Sequence, residues 1–148
     1  MNVQEVMCKN VVSCSASSNL DEVAKMMWDN DCGSVPIVDE QKKPIGMVTD
    51  RDIAMSASLA HRPLWEITTG EVNNGRDAIT CEQIDDVKTV LATMKDQQVR
   101  RLAVVNQSGE LSGMVTIGDL LKFSAYQKGA KLPYKDTMAM LKTVTGHH

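Results

Sequence analysis

The stretch GMVTDRD at residues 46–52 returns as GMVTIGD at residues 113–119, with Gly, Met, Val, Thr and the final Asp unchanged. In a chain of 148 residues, a motif written twice points to an internal repeat. The letters describe a short apolar strand that ends at a threonine, where a helix begins. The repeat therefore builds either one structural corner twice or one binding corner twice.

The similarity extends well beyond these seven letters. At a constant offset of 67 positions, from Gly46 to Gly113, residues 11–30 align without a gap with residues 78–97. In both copies apolar residues recur at i, i+3, i+4 and i+7, the stripe of a helix packed on one face. These positions hold Leu20, Val23, Ala24 and Met27 in the first copy, and Val87, Val90, Leu91 and Met94 in the second. We therefore predict a tandem duplication.

Each copy predicts the element order β-α-β-β-α, so the fold class is α+β. The elements are a strand near 11–14 or 78–81, a helix capped by Ser18 or Asp85 and ending near 31 or 98, the strands SVPIVD and IGMV or RLAVVN and SGMV, and a last helix starting at Thr49 or Thr116. A unit of about 50 residues is too small to bury a full core alone. We therefore expect the two copies to pack against each other.

The predicted boundaries place the first repeat at 1–60, including the N-terminal segment VQEVM, and the second repeat at 76–128. Between them, the connector at 61–75 contains a short helical turn around TGEV. The tail at 129–148 has no counterpart in the first copy. Its residues Met138, Leu141 and Val144 predict a terminal helix that docks on a neighbour. His147 and His148 resemble the remnant of an affinity tag.

Composition excludes several classes of protein. The net charge of −3 and the 3% of aromatic residues do not favour nucleic acid or an anionic membrane as a partner. No signal sequence or membrane span is evident, and the four cysteines lack a CxxC spacing, so we expect a cytoplasmic protein. Cys14 and Cys81 lie in apolar runs, which predicts two small buried hydrophobes. No catalytic motif and no metal-ligand spacing is present, so we predict neither an enzyme nor a metal site.

The spacing T-x-x-D at Thr49–Asp52 and Thr116–Asp119 has two interpretations. As a capping box, the threonine caps the helix and the aspartate reaches back to the backbone. As a binding corner, the hydroxyl and the helix amides suit a phosphate, whereas the carboxylate suits the two hydroxyls of a ribose. The sequence alone leaves both interpretations open.

The doubled unit with its G-h-h-T-x-x-D motif, where h is apolar, resembles a CBS domain pair, also called a Bateman module. The resemblance covers residues 3–125 and includes the strands GSVPIVD and RRLAVVN. It implies that the two repeats form a pseudo-twofold pair, shaped as a disc with two clefts. These clefts would bind AMP, ADP, ATP or S-adenosyl compounds such as S-adenosylmethionine, with no cofactor required. It also implies a homodimer built from the exposed helical faces, and regulation of an attached or partner protein.

The resemblance also implies roles for individual residues. Asp52 and Asp119 match the ribose-binding aspartate, Thr49 and Thr116 the hydroxyl facing phosphate, Arg100 and Arg101 the basic phosphate-facing positions, and Ser15, Cys32 and Val99 the base pocket. Arg51 either reaches phosphate or lies on the exposed helix face. The first copy has Gly33 and Ser34 where the second has the two arginines, and the second has Glu82 where the first has Ser15. These differences predict two unequal sites, with the better anion site in the second copy.

The resemblance favours a regulatory module that senses an adenosine compound and signals to a partner protein or an oligomer. The alternative is a dimerisation scaffold of the same fold whose clefts are empty or degenerate. Both hypotheses predict a homodimer, and they differ in whether the T-x-x-D corners bind a ligand.

Overall fold

The computed structural model of this chain describes residues 1–124 and 132–145. The elements run in the order α1 (Leu20–Asp29), β1 (Ser34–Val38), β2 (Pro44–Thr49), α2 (Asp50–Ala60), α3 (Thr69–Asn73), β3 (Thr80–Glu82), α4 (Val87–Gln97), β4 (Arg101–Val105), β5 (Leu111–Thr116), α5 (Ile117–Lys122) and α6 (Tyr134–Thr145), with 3₁₀ turns at Val3–Glu5 and Leu64–Glu66. The predicted order of helices and strands is confirmed except at the first strand of the first copy. His147 and His148 lie outside the described residues, as does the start of the tail.

The first compact unit comprises Val11–Ile79 with Gly109–Leu111. Its strands β1 and β2 are antiparallel, with Ser34 opposite Thr49. The strand predicted near 11–14 is reduced to one parallel bridge between Cys14 and Ile37. Pro36 explains this, because a longer parallel pairing would need an amide hydrogen at that position and proline has none.

The second compact unit comprises Met1–Asn10, Thr80–Ser108 and the described residues from Ser112 onward. Its three strands lie in the order β3-β4-β5, and β3 is parallel to β4. Thr80 pairs with Ala103, which occupies the position of Pro36 and supplies the missing amide. The strand therefore forms here, although it begins two residues later than predicted.

The N-terminal segment packs with the second repeat, whereas the sequence assigned it to the first. The Val3 amide donates to the Asp85 carbonyl at 2.9 Å, and Cys8 and Met114 exchange backbone hydrogen bonds at 2.8 and 2.9 Å. The matching segment before the second repeat bonds to the first unit, where the Thr69 amide donates to the Ser18 carbonyl at 2.9 Å. Such pairings join residues far apart in the chain, so no local pattern indicates them.

The repeated glycines accommodate these two segments. A Cβ at Gly113 would lie 2.6 Å from the Cys8 carbonyl oxygen, and a Cβ at Gly46 would overlap the side-chain amide of Asn73. Both contacts are closer than a Cβ atom tolerates. The first letter of the repeated motif therefore serves packing rather than binding.

The N-caps of α1 and α4 are Asn19 and Asp86, each one residue later than predicted. The side chains of Ser18 and Asp85 instead accept backbone hydrogen bonds from Ser15, at 3.1 Å, and from Glu82, at 2.8 Å. The residue predicted as the cap thus closes the turn that precedes the helix, and the next residue along the chain caps the helix.

Each unit has its own buried core. In the first unit the core joins α1, the two strands and the start of α2, with Leu20, Val35 and Val48 fully buried. The predicted terminal helix is confirmed as α6, and it packs on α4 and α5 of its own chain. Its buried residues are Thr137, Met140 and Val144, whereas Met138 and Leu141 are half-buried. None of the helices in the described ranges has the length and apolar character needed to cross a membrane.

Candidate functional site

The first corner joins the end of β2 to the start of α2. The Asp52 amide donates to Thr49 Oγ1 at 3.1 Å, and the Thr49 amide donates to Asp52 Oδ2 at 2.9 Å. This reciprocal pair is a capping box, as one interpretation of the sequence predicted. The second carboxylate oxygen, Oδ1, takes no part in it and lies 3.9 Å from Nη2 of Arg76.

The second corner joins β5 to α5 with the same reciprocal backbone bonds and one further bond, which the Thr116 hydroxyl donates to Asp119 Oδ2 at 2.8 Å. The Asp119 amide donates to Thr116 Oγ1 at 3.1 Å, and the Thr116 amide donates to Asp119 Oδ2 at 2.9 Å. Here Oδ1 of the aspartate faces Nζ of Lys122 at 3.8 Å. In both corners Oδ2 completes the capping box, whereas Oδ1 lies near the charged end of an exposed basic side chain. Capping and ligand binding are therefore compatible, since they use different oxygens.

The backbone amides at the start of α2 all have acceptors within the chain. The Asp50 amide donates to the Gly33 carbonyl at 3.1 Å, and the Arg51 amide donates to Asp50 Oδ1 at 2.8 Å. The Asp52 amide is bonded to Thr49, as described above. In the second corner the Ile117 amide donates to the Arg100 carbonyl at 2.9 Å. Ile117 replaces Asp50 and offers no side-chain acceptor to the next amide.

The three arginines named from the sequence have different surroundings. Arg100 is exposed, and its Nη2 donates to the Val144 carbonyl at the end of α6, 3.3 Å away. Arg101 is half-buried at the start of β4, and Arg51 is exposed on α2. One donor of Arg100 is thus already engaged by the protein.

The three candidates for the base pocket are also distributed. Ser15 is exposed, with its hydroxyl 2.9 Å from that of Ser17, and its carbonyl accepts from Thr69 Oγ1 at 2.6 Å. Cys32 and Val99 occupy equivalent half-buried positions just after α1 and α4, where their amides donate to the carbonyls of Met27 and Met94.

Cys32 lines a cavity of about 410 Å³ beside α1 and the start of α2. Its walls also include Met27, Trp28, Gly33 and Asp50. Thr49, Asp52 and Ser15 are not among its lining residues. Within the first unit, the structure therefore brings Cys32 together with Asp50 rather than with the ribose-binding candidate.

Three charged residues next to the corners were not predicted. Asp50 is one of the two letters by which the motif copies differ, so aligning the copies was the signal that could have found it. Arg76 precedes the second repeat, and its guanidinium also donates to the carbonyls of Asn73, at 3.1 Å, and Val72, at 3.4 Å. Lys122 was discoverable as the residue three positions after Asp119 on the same helix.

The buried cysteines are poor nucleophiles. Desolvation raises the pKa of the Cys14 thiol to about 11, although a hydrogen bond with Thr69 opposes the shift. Burial, with a smaller contribution from the nearby Asp85 charge, raises the pKa of the Cys81 thiol to about 12. Both thiols stay protonated at neutral pH, as expected of small buried hydrophobes. In residues 1–124 and 132–145, no group of three or more His, Cys, Asp or Glu side chains is placed to hold a metal ion.

Comparison with known proteins assigns this architecture. A family model described as the CBS domain matches residues 3–58 and 70–126. An uncharacterized protein of Methanopyrus kandleri is 31% identical over 126 residues, which is 85% of this chain, and the chain spans 64% of that protein's length. The CBS domain-containing protein YhcV of Bacillus subtilis is 32% identical over 123 residues, covering 80% of this chain and 82% of YhcV.

Solved structures agree in fold. The CBS domain pair of protein MJ0100, crystallised with 5′-methylthioadenosine and S-adenosyl-L-methionine, superposes with a TM-score of 0.70 at 25% identity, over 82% of this chain and 94% of that one. The CBS domain protein PAE2072 from Pyrobaculum aerophilum, complexed with AMP, gives a TM-score of 0.72 at 22% identity and 99% coverage of both chains. Two matched family segments on a doubled strand-and-helix unit mean that the chain belongs to the CBS domain family.

Proposed function

We propose that this chain is a regulatory module that binds an adenosine compound at its two T-x-x-D corners. The observation that carries the proposal is that the two carboxylate oxygens of each aspartate make different contacts. Oδ2 of Asp52 and of Asp119 completes a capping box, whereas Oδ1 faces a cation and is not needed by the helix. A carboxylate oxygen held in this way is suited to accept a hydrogen bond from a ribose hydroxyl.

The neighbouring structures support the class of ligand. MJ0100 was crystallised with 5′-methylthioadenosine and S-adenosyl-L-methionine, and PAE2072 with AMP. These ligands differ at the 5′ position and share the adenosine. A site that holds the base and the ribose would therefore account for all of them, and the 5′ group would decide between AMP, ADP, ATP and S-adenosyl compounds.

In this proposal the ligand acts by shifting an equilibrium. The ribose diol competes with Arg76 or Lys122 for Oδ1, while the capping bonds keep the corner in place. A ligand shifts two conformations only by its difference in affinity for them, typically about 1–3 kcal/mol in regulatory proteins. A partner protein or a second copy of this chain then responds to the shift.

The test is calorimetric titration with AMP, adenosine and 5′-methylthioadenosine. Asp52→Asn and Asp119→Asn each keep an oxygen for the capping bond but replace the other acceptor with an amide donor. We expect each variant to weaken binding at its own site by more than about tenfold, since one hydrogen bond to a charged group contributes roughly 1.5–3 kcal/mol. Asp86→Asn, at the N-cap of α4, is the matched control and should bind like the wild type.

Two results would contradict the proposal. One is a wild-type protein that binds none of the three compounds at millimolar concentration. The other is normal binding by both corner variants, which would reduce the two aspartates to capping residues.

An exposed apolar face favours a second role, association of two copies. Trp28 is 87% exposed, Leu59 74% and Met55 46%, on α1 and α2. From Ile53 to Ala60, α2 carries no charged residue. At the positions equivalent to Trp28 and Met55 the second repeat has Lys95 and Lys122. We propose that the first repeat forms a homodimer through this face, which we name the Trp28 face after Trp28, Met55 and Leu59.

A further inference from the structure

The two corners differ in the two residues between the repeated threonine and aspartate. The first corner has Asp50 and Arg51, and the second has Ile117 and Gly118. The reciprocal backbone bonds of the two capping boxes are the same, and the second adds a bond from the Thr116 hydroxyl to Asp119 Oδ2 at 2.8 Å. This difference places one additional carboxylate at the first corner only.

The Asp50 carboxylate is held at the start of α2. Its Oδ1 accepts from the Arg51 amide at 2.8 Å, and its Oδ2 lies where a Cβ on residue 33 would come within 3.1 Å. Gly33 therefore makes room for this carboxylate. The N-terminal end of an 11-residue helix attracts negative charge, and here the chain supplies that charge itself.

The remaining amides of this helix start are also engaged, by the Gly33 carbonyl and by Thr49 Oγ1. The nearby cation is committed as well, because Arg76 is paired with Asp52 and donates to two carbonyls of the chain. Arg51 is exposed on the next position of α2. A phosphate at this corner would meet the Asp50 charge and find no amide without an acceptor among the first three of α2.

The second corner lacks this obstacle. Ile117 has no charge, and Arg100 stands where the first repeat has Gly33. Gly118 is exposed, and a Cβ there would meet nothing closer than Thr116 Oγ1 at 3.5 Å. Neither Ile117 nor Gly118 carries a carboxylate that would repel the phosphate of a ligand whose ribose binds Asp119.

We propose that Asp50 determines the specificity of the first corner, which selects adenosine compounds with an uncharged or cationic 5′ group and discriminates against 5′-phosphates. The inference rests on the proposed binding of adenosine at the corners and adds the selection between 5′ groups. The second corner, with Ile117 in place of Asp50, does not make this discrimination.

The experiment measures the ratio of affinities for AMP and 5′-methylthioadenosine, which share the adenosine and differ in 5′ charge. Titrations are done in the Asp119→Asn background to report the first corner and in the Asp52→Asn background to report the second. Asp50→Asn keeps an acceptor for the Arg51 amide but removes the charge. We expect it to raise the affinity for AMP about tenfold, as loss of one like charge a few ångströms away predicts, and to leave 5′-methylthioadenosine within about twofold.

The reciprocal variant, Ile117→Asp, places the same carboxylate in the second corner. We expect it to lower the affinity for AMP there about tenfold while 5′-methylthioadenosine is unaffected. Urea unfolding of both variants verifies that they are folded. Asp21→Asn serves as the charge control, since it removes an exposed carboxylate on α1, outside the corner, and keeps Asp50.

The outcomes separate this inference from the function it rests on. If both compounds bind but neither substitution changes their ratio, the role of Asp50 is wrong and adenosine binding stands. If Asp21→Asn changes the ratio as strongly as Asp50→Asn, net charge rather than the Asp50 position is responsible, and the inference is again overturned. If the wild-type protein binds neither compound, both proposals are overturned.

Discussion

Single residues of the repeated motif serve different physical needs. The glycine leaves space for a segment distant in sequence, whereas the threonine and aspartate bond to each other across one helical turn. The bonding of threonine to aspartate is local, because donor and acceptor are only three positions apart in the chain. The capping boxes were therefore predictable from four letters each, and a close approach at the glycines could be expected, but not which distant segments approach them.

Alanine substitution of the glycines tests this at the residue scale. Gly113→Ala drives a Cβ against the Cys8 carbonyl oxygen, which is fixed by its bond from the Met114 amide. We expect the free energy of unfolding to fall by about 2–3 kcal/mol. Gly46→Ala meets the Asn73 side chain, which can rotate away and lose its hydrogen bond to Arg76, so we expect about 1 kcal/mol. Urea denaturation measures both.

Gly118→Ala is the matched control, because its Cβ makes only ordinary contacts and alanine suits a helix. It should not lower the free energy of unfolding. If Gly113→Ala proves as stable as Gly118→Ala, the N-terminal segment does not press on β5 as described.

At the scale of elements, the repeat predicted which helices and strands exist better than where they begin. The stripe of α1 and α4 is fixed by the spacing of apolar residues, and these helices are confirmed. Their N-caps lie one residue after the predicted positions, because two adjacent polar side chains can each serve as a cap. These pairs are Ser18 with Asn19 and Asp85 with Asp86. Pro36 removes a ladder hydrogen bond, which periodicity does not register but the residue type could have shown.

Helix α6 gives the prediction at this scale. Met140 is 1% exposed, whereas Met138, two residues before it, is half-buried. We expect Met140→Ala to lower the free energy of unfolding by about 2–4 kcal/mol, through lost burial and the cavity left against α4 and α5. Met138→Ala, the matched control, should cost less than about 1 kcal/mol, since less of its surface leaves water on folding. Equal effects in urea denaturation would contradict the packing of α6.

At the scale of the whole molecule, the two repeats have diverged in what covers their helices. In the second repeat α6 packs on α4 and α5, and lysines occupy the outer positions equivalent to Trp28 and Met55. In the first repeat these positions remain apolar and exposed among the described residues. Aligning the two copies shows that these positions are apolar in one repeat and charged in the other. Only the structure shows that the apolar side chains of the first repeat are exposed.

Association through the Trp28 face follows from that contrast. The exposed tryptophan of α1 and the exposed leucine and methionine of α2 would lose their contact with water when two copies pair. Buried aromatic side chains of this kind often contribute most of the binding energy of an interface. We expect sedimentation equilibrium to show a wild-type dimer that Trp28→Glu and Leu59→Glu each convert toward monomer, because a buried carboxylate would lack a partner. Ile84→Glu is the control, since Ile84 is 61% exposed and belongs to the second unit, outside this face. A monomeric wild type at micromolar concentration, or a dimer that both glutamates leave intact, would assign the Trp28 face no role in association.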